Sequence, residues 1–186
     1  MTETPFSGIH LLTSPGEVMT PRPASEALVA AAAELLGDRP ACVADVGTGS
    51  GAIAVALALR APRAQIWATD VSEAAVELAC ANARRHGLDD RISVLCGDLL
   101  DGVPGALDLI VANLPYLPEH LQHERPELAG EPFAAVFASG DGLGHYRRLL
   151  AASATALRPE GTLLIQLHRR VIALQAAELG ESAVAA

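Results

Sequence analysis

"ADVGTGSGAIAVALA", residues 44–58, decides how the chain is read. The residues up to Val46 suit the end of a buried strand, and from Ala52 onward the apolar run suits a buried helix. Between them Gly47, Gly49 and Gly51 stand at alternate positions. Glycine lets a backbone turn sharply and approach a ligand closely, and the helix that follows aims its free amides at whatever rests on that turn. Strand, glycine turn and helix in this order form the nucleotide-binding corner of an open α/β sheet. A dinucleotide fingerprint places its third glycine one position later, where Ala52 stands and alanine is tolerated, so spacing alone leaves a nicotinamide cofactor open.

Outward from this corner, strands and helices alternate. Strands are expected at 41–46, 65–70, 92–96, 107–112 and 161–167, and helices at 51–60, 72–86 and 141–157. This order predicts a parallel sheet with crossover helices. Upstream, Ser25 is placed to cap a helix running to Leu36, with Gly37 just past its end. Residues 1–23 read as a proline-rich amino-terminal arm, a loop with short extended pieces at Ile9–Leu12 and Glu17–Met19, and 24–186 as one catalytic domain. The long proline-bearing segment from Leu117 to Ala138 has the length of a functional loop.

Composition narrows the partners. With 186 residues, 51% hydrophobic and only 3% aromatic, the chain suits one domain with a core of small aliphatic side chains, as in helices on a buried sheet. A formal charge of −9 works against a polyanionic partner, and the Arg84-Arg85, Arg147-Arg148 and Arg169-Arg170 pairs are scattered like solvated charges. Nucleic acid is therefore disfavoured. Cys42, Cys80 and Cys96 are odd in number, widely spaced and set in apolar surroundings, which fits buried thiols in a reducing compartment better than a disulfide or zinc framework. His120 and His123 beside Glu119 and Glu124 are too few and too close in spacing for a metal to be assigned. MTETPFSG (1–8) shows no basic region followed by an apolar stretch, and no run reaches membrane-spanning length, so a soluble, cytoplasmic protein is expected.

Two strand ends add chemistry. Asp70 closes the second strand, where a carboxylate can accept both hydroxyls of a ribose. The third runs into Gly97-Asp98-Leu99, where Asp98 can accept from the exocyclic amine of an adenine while Val71 and Leu99 sandwich the ring. The fourth, in "LDLIVANLPYLPEH" (107–120), stops abruptly at Asn113-Leu114-Pro115-Tyr116.

Here the chain resembles a known family. "DVGTGSGAIAVALA" (45–58), "ATDVSEAAVELACANARRHGL" (68–88), "GDLL" (97–100) and "LDLIVANLPYLPE" (107–119) resemble the successive motifs of class I S-adenosylmethionine-dependent methyltransferases. More narrowly, they are similar to the HemK/PrmC family, which methylates the side-chain amide of a glutamine in peptide-release factors. The similarity extends to "SPGEVMTPRPASEALV" (14–29) and to "GDGLGHYRRLLAASATALRPEGTLLIQL" (140–167).

The resemblance implies a Rossmann-like fold, a mostly parallel sheet with helices on both faces, and S-adenosyl-L-methionine as cofactor. It places Asp45, Gly47, Thr48, Gly49, Ser50, Gly51, Asp70, Val71, Asp98, Leu99 and Asn113 around that cofactor. It also assigns the acceptor to Asn113, Leu114, Pro115 and Tyr116: the Asn113 side-chain carbonyl and the Leu114 main-chain carbonyl take the two N–H groups of a planar nitrogen, and Tyr116 stacks on it. Arg22 and Glu26 are expected to fix the arm over the site.

Three departures matter. Leu114 stands where the family more often has proline, and the tetrapeptide also resembles that of ribosomal RNA adenine dimethyltransferases. The helical amino-terminal domain that grips the release factor is not seen ahead of Pro21-Arg22-Pro23. The short remainder after Leu167 is expected to be helical over "RRVIALQAAELG" (169–180), leaving the sheet without its final hairpin. An uncovered fifth strand would then pair with a second subunit, giving a homodimer, or with the arm. Other readings are a small-molecule or peptide-tailoring methyltransferase, and a cofactor-binding module without turnover.

Overall fold

The computed structural model describes residues 1–168 and 170–179. In chain order it runs through strands β1 (Thr2–Phe6) and β2 (Ile9–Thr13), helix α1 (Glu26–Leu36), β3 (Ala41–Val46), α2 (Ala52–Arg60), β4 (Ala64–Asp70), α3 (Glu73–Arg85) and β5 (Ile92–Cys96). It continues through β6 (Leu107–Ala112), β7 (Leu117–Pro118), α4 (Phe133–Val136), β8 (Phe137–Ala138), α5 (Gly144–Ala156), β9 (Leu157–Leu167) and β10 (Arg170–Gln175). The six-stranded sheet has the order β10-β9-β6-β3-β4-β5, and only β10 is antiparallel to its neighbour. The chain starts at β3 and winds outward in both directions, so the switch point lies between β3 and β6, where open α/β sheets bind ligands.

Side-chain alternation along the strands sorts the core into two layers. Val43, Leu109 and Val111 join a cluster with Leu28, Val29 and Leu36 of α1 and Val55 and Leu57 of α2. Ala44, Val46, Ile110 and Ala112 face the other way, against Tyr146 and Leu149 of α5. Every residue of β6 is buried, including one carboxylate. Asp108 is held there by Arg39 and Arg158, each at 2.8 Å, and by the Cys42 N–H at 2.7 Å. A buried charge persists only when paired and hydrogen-bonded in this way.

The arm is more ordered than a loop. Thr2–Phe6 and Ile9–Thr13 form a hairpin closed by Ser7 and Gly8, both with positive φ, while the expected extended piece at 17–19 is absent: a turn over residues 15–17 runs through a bend at Val18 into irregular chain. Phe6 and Leu11 are buried in the same cluster as α1 and α2. Asn82 of α3 fastens the hairpin: its side chain accepts from the Leu12 N–H at 2.8 Å and donates to the Leu12 carbonyl at 3.0 Å and the Ser50 carbonyl at 2.8 Å.

The carboxyl-terminal expectation is overturned. Residues 170–175 are a strand, paired antiparallel with β9 from Arg170↔Leu167 to Gln175↔Thr162. Helix begins only at residue 176, and Arg169 and Gly180 of the expected segment lie outside the described residues. The physical reason is the open edge of β9, whose unpaired N–H and C=O groups are satisfied by the chain that follows. The edge that called for a second subunit or for the arm is therefore filled from within the same chain.

Candidate active site

The glycine corner folds as its spacing requires. Gly47, Gly49 and Gly51 have φ of 71°, 55° and 77°, the left-handed region that side chains disfavour. The Gly47 and Thr48 N–H groups both reach the Thr69 carbonyl at 2.9 Å, stapling the turn to the end of β4. Asp45 braces it from behind: its Oδ2 accepts from the Thr48 hydroxyl at 2.6 Å and from the Ala54 N–H at 3.1 Å, while its Oδ1 is buried without a partner. Burial raises this carboxyl to about 6 against the pull of those two donors, with the nearby Asp70 charge adding a little.

Asp70 is fixed by two main-chain donors, Gly49 N–H to Oδ2 at 2.9 Å and Ser72 N–H to Oδ1 at 3.0 Å. Each oxygen keeps a lone pair for a further donor. Past the end of β5, Leu99 has φ of 52° and its carbonyl accepts from the Thr69 hydroxyl at 2.6 Å, which locks the Gly97–Leu99 turn beside β4. Asp98 stands at the rim and pairs with Arg148 of α5 at 2.5 Å.

These pieces surround one cavity of about 520 Å³ at the carboxyl edge of the sheet. Gly47, Thr48, Gly49, Ser50, Asp70, Val71, Asp98, Leu99, Asn113, Leu114 and Pro115 all line it. Three expected residues do not. Asp45 lies behind the glycine turn, and Gly51 faces α3, where an added Cβ would sit 3.1 Å from Ala79. Tyr116 is half-buried against the α5 layer, with its ring edge-on to His168 at 6.3 Å, outside the cavity lining.

The tetrapeptide meets the glycine corner directly, since a Cβ on Gly47 would fall 2.6 Å from a Leu114 methyl. The Asn113 side chain is oriented by a residue whose role reads differently in sequence. The Ser25 hydroxyl does not cap α1; it accepts from Asn113 Nδ2 at 3.0 Å, which turns Oδ1 of the amide away from Ser25. The Leu114 N–H donates to the Tyr146 hydroxyl at 3.0 Å.

The roof was not foreseen in detail. Val18, Thr20, Arg22 and Phe133 also line the cavity, and Glu131 joins arm to loop by accepting from the Thr20 N–H and from Arg22, each at 3.0 Å. The Pro-Arg-Pro segment and the length of the 117–138 loop were the available signals; their mutual contact has no sequence signature. Glu26 accepts from the Ser7 N–H at 3.0 Å, tying the hairpin turn to α1.

A model for the family described as "Methyltransferase small domain" matches residues 22–133. The chain belongs to that methyltransferase family. It is 42% identical over 180 residues to a release factor glutamine methyltransferase of Deinococcus radiodurans, covering 95% of this chain and 63% of that protein. It is 40% identical over 134 residues to a ribosomal protein uL3 glutamine methyltransferase of Neisseria meningitidis, covering 72% of this chain and 44% of that one. Among solved structures it resembles a ribosomal protein L11 methylase from Lactobacillus delbrueckii subsp. bulgaricus, with a TM-score of 0.57 and 26% identity over 80% of this chain and 62% of that one. The chain thus spans 44–63% of the length of these relatives, and its architecture is the Rossmann-like one of class I methyltransferases.

The cofactor of such enzymes, S-adenosyl-L-methionine, fits the residues present. The glycine turn leaves room for close approach, and Asp70 is held open for a diol. Arg22, on the cavity wall, has a buried Nε without a partner, a donor suited to an amino-acid carboxylate. Among the described residues no helix is long and apolar enough to cross a membrane.

Proposed function

We propose that this domain methylates the side-chain amide nitrogen of a glutamine in a protein, with a release factor as the leading acceptor. S-adenosyl-L-methionine, when bound, supplies an electrophilic methyl group on a sulfonium. An amide nitrogen is a poor nucleophile because its lone pair is delocalised into the carbonyl. It gains reactivity when its two hydrogens are held by fixed acceptors that favour rehybridisation and stabilise the positive charge developing on nitrogen. Asn113 Oδ1 and the Leu114 carbonyl are the acceptors assigned here. Formation of the new N–C bond would be matched by breakage of the sulfur–methyl bond, with S-adenosylhomocysteine as the leaving group, and the nitrogen would shed one of its two protons to solvent.

The observation that carries this reading is the Ser25–Asn113 bond. It commits the amide's donor end and leaves its acceptor end available in a cavity whose wall is the glycine corner. The formal charge of −9 favours a protein acceptor over a nucleic acid. Both glutamine-modifying relatives, whose named targets differ, support glutamine as the shared acceptor chemistry. The expectation of buried thiols is corrected by the structure: Cys96 is exposed, at the end of the strand on the open edge of the sheet, and Cys42 and Cys80 are only half-buried.

The test is incubation of the domain with S-adenosylmethionine and purified release factors or ribosomal protein uL3, followed by peptide mass spectrometry. A methyl group on a glutamine side chain is expected. In a parallel incubation with ribosomal RNA, formation of S-adenosylhomocysteine with methylated RNA, while the proteins stay unmodified, would refute the reading.

A further inference from the structure

Tyr146 is nearly fully buried on α5, 3% exposed, and takes no part in the chemistry assigned above. Its single hydroxyl nevertheless meets both main-chain polar groups of Leu114. It accepts from the Leu114 N–H at 3.0 Å, lies 3.3 Å from the Leu114 carbonyl oxygen, and donates to the Gln166 carbonyl of β9 at 2.7 Å. Leu114 precedes Pro115, which restricts it to extended geometry. In an extended residue the N–H and C=O point to the same side, so one hydroxyl can register both.

A phenol has one proton, and the shorter contact identifies its acceptor as Gln166. The Leu114 carbonyl is thus aligned by Tyr146 but not saturated by it, because a carbonyl oxygen accepts twice. Burial, the largest influence, also lifts the Tyr146 hydroxyl far above its ordinary range, so it remains a neutral donor throughout the working pH range. Gln166 lies near the end of β9, where β10 pairs with it, and Val171 is its cross-strand partner. The alignment of Leu114 is therefore anchored in the rigid sheet.

We propose that Tyr146 is a positioning residue for methyl transfer: it fixes the backbone of Leu114 against β9 and so aims the carbonyl that holds the acceptor amide. This rests on the acceptor reading above, and the experiment separates the two. In Tyr146→Phe the ring still fills its place while the Leu114 N–H and the Gln166 carbonyl lose their partner.

Turnover on the glutamine acceptor should fall about tenfold to a hundredfold, as small misplacements of reacting groups do, with the Kd for S-adenosylhomocysteine within about twofold of wild type. Amide hydrogen exchange at Leu114 should accelerate about tenfold while the β3 and β4 amides stay protected. Leu149→Ala, which loosens the same helix face, should lower the melting temperature without this selective effect at Leu114. Unchanged exchange at Leu114, or losses of turnover and cofactor affinity in equal measure, would overturn the proposal. If the wild-type domain modified no glutamine, the acceptor reading would fall, while exchange at Leu114 would still decide whether Tyr146 fixes that residue.

Discussion

Glu131 holds Arg22 across the mouth of the cavity at 3.0 Å, and its second carboxylate oxygen takes the Thr20 N–H at the same distance. Two segments more than a hundred positions apart in sequence are thereby joined into one roof. Arg22 is 39% exposed while Glu131 is only 11% exposed, so the pair is partly screened and the main-chain bond matters as much as the charge.

Glu131→Ala should therefore act on closure rather than folding. Loss of about 1 kcal/mol of latch corresponds to roughly a fivefold faster dissociation of S-adenosylhomocysteine. Stopped-flow displacement would measure it, with the melting temperature expected to fall by no more than about 2–4 °C.

In the proposed reading, Asn113 and Asp70 divide the labour of the site. Asn113→Ala should leave the Kd for S-adenosylhomocysteine within about twofold while lowering turnover at least about a hundredfold, because the lost contact strengthens in the transition state. Asp70→Ala should chiefly weaken cofactor binding. Calorimetry beside a turnover assay reads both, and equal losses from the two variants would contradict the division.

Gly51 has a steric reason to be glycine that Gly87 lacks. Gly51 has φ of 77° and an added Cβ would lie 3.1 Å from both Cα and Cβ of Ala79, whereas Gly87, at φ of 65°, has open space. Gly87→Ala should cost about 1 kcal/mol for the left-handed backbone alone. Gly51→Ala should cost about 2–3 kcal/mol, since α2 and α3 must also separate. Urea denaturation of the two variants compares them directly.

Asp45 should leave a signature in the pH dependence of stability. Its carboxyl holds its proton to about pH 6 in the folded chain and to about 3.8 in the unfolded one. The folded state thus binds more protons in that window, and stability falls as pH rises from about 4 to about 6, then levels. The shift corresponds to about 3 kcal/mol. In Asp45→Asn the carbonyl oxygen can keep the Thr48 and Ala54 donors while the titration vanishes. The wild-type minus variant stability should therefore decline across that window, and a flat difference would refute the assignment.

The glycine corner made the sheet legible because strand, turn and helix each impose a different composition. β3, β5 and β6 occur at the positions that their apolar runs indicate. β1 was missed because Pro5 interrupts a polar stretch, and proline is tolerated there only because β1 lies in a two-stranded hairpin. β10 was misread because "RVIALQ" suits a helix as well as a strand, and the choice is made by the open edge of β9, a tertiary fact. Ser25 shows the same limit within the site. A hydroxyl ahead of a helix looks like a cap whether it bonds the helix or, as here, the Asn113 amide.

Asn82 gives the amino-terminal hairpin a meaning beyond its size. By joining Leu12 to Ser50 it makes the first strands a buttress of the glycine corner itself. Anyone grafting this unit onto another acceptor-recruiting module would do well to place the seam ahead of Thr2. A splice at Pro21 would leave Asn82 Oδ1 without its donor and its Nδ2 with Ser50 alone, and the pocket's back wall without its brace.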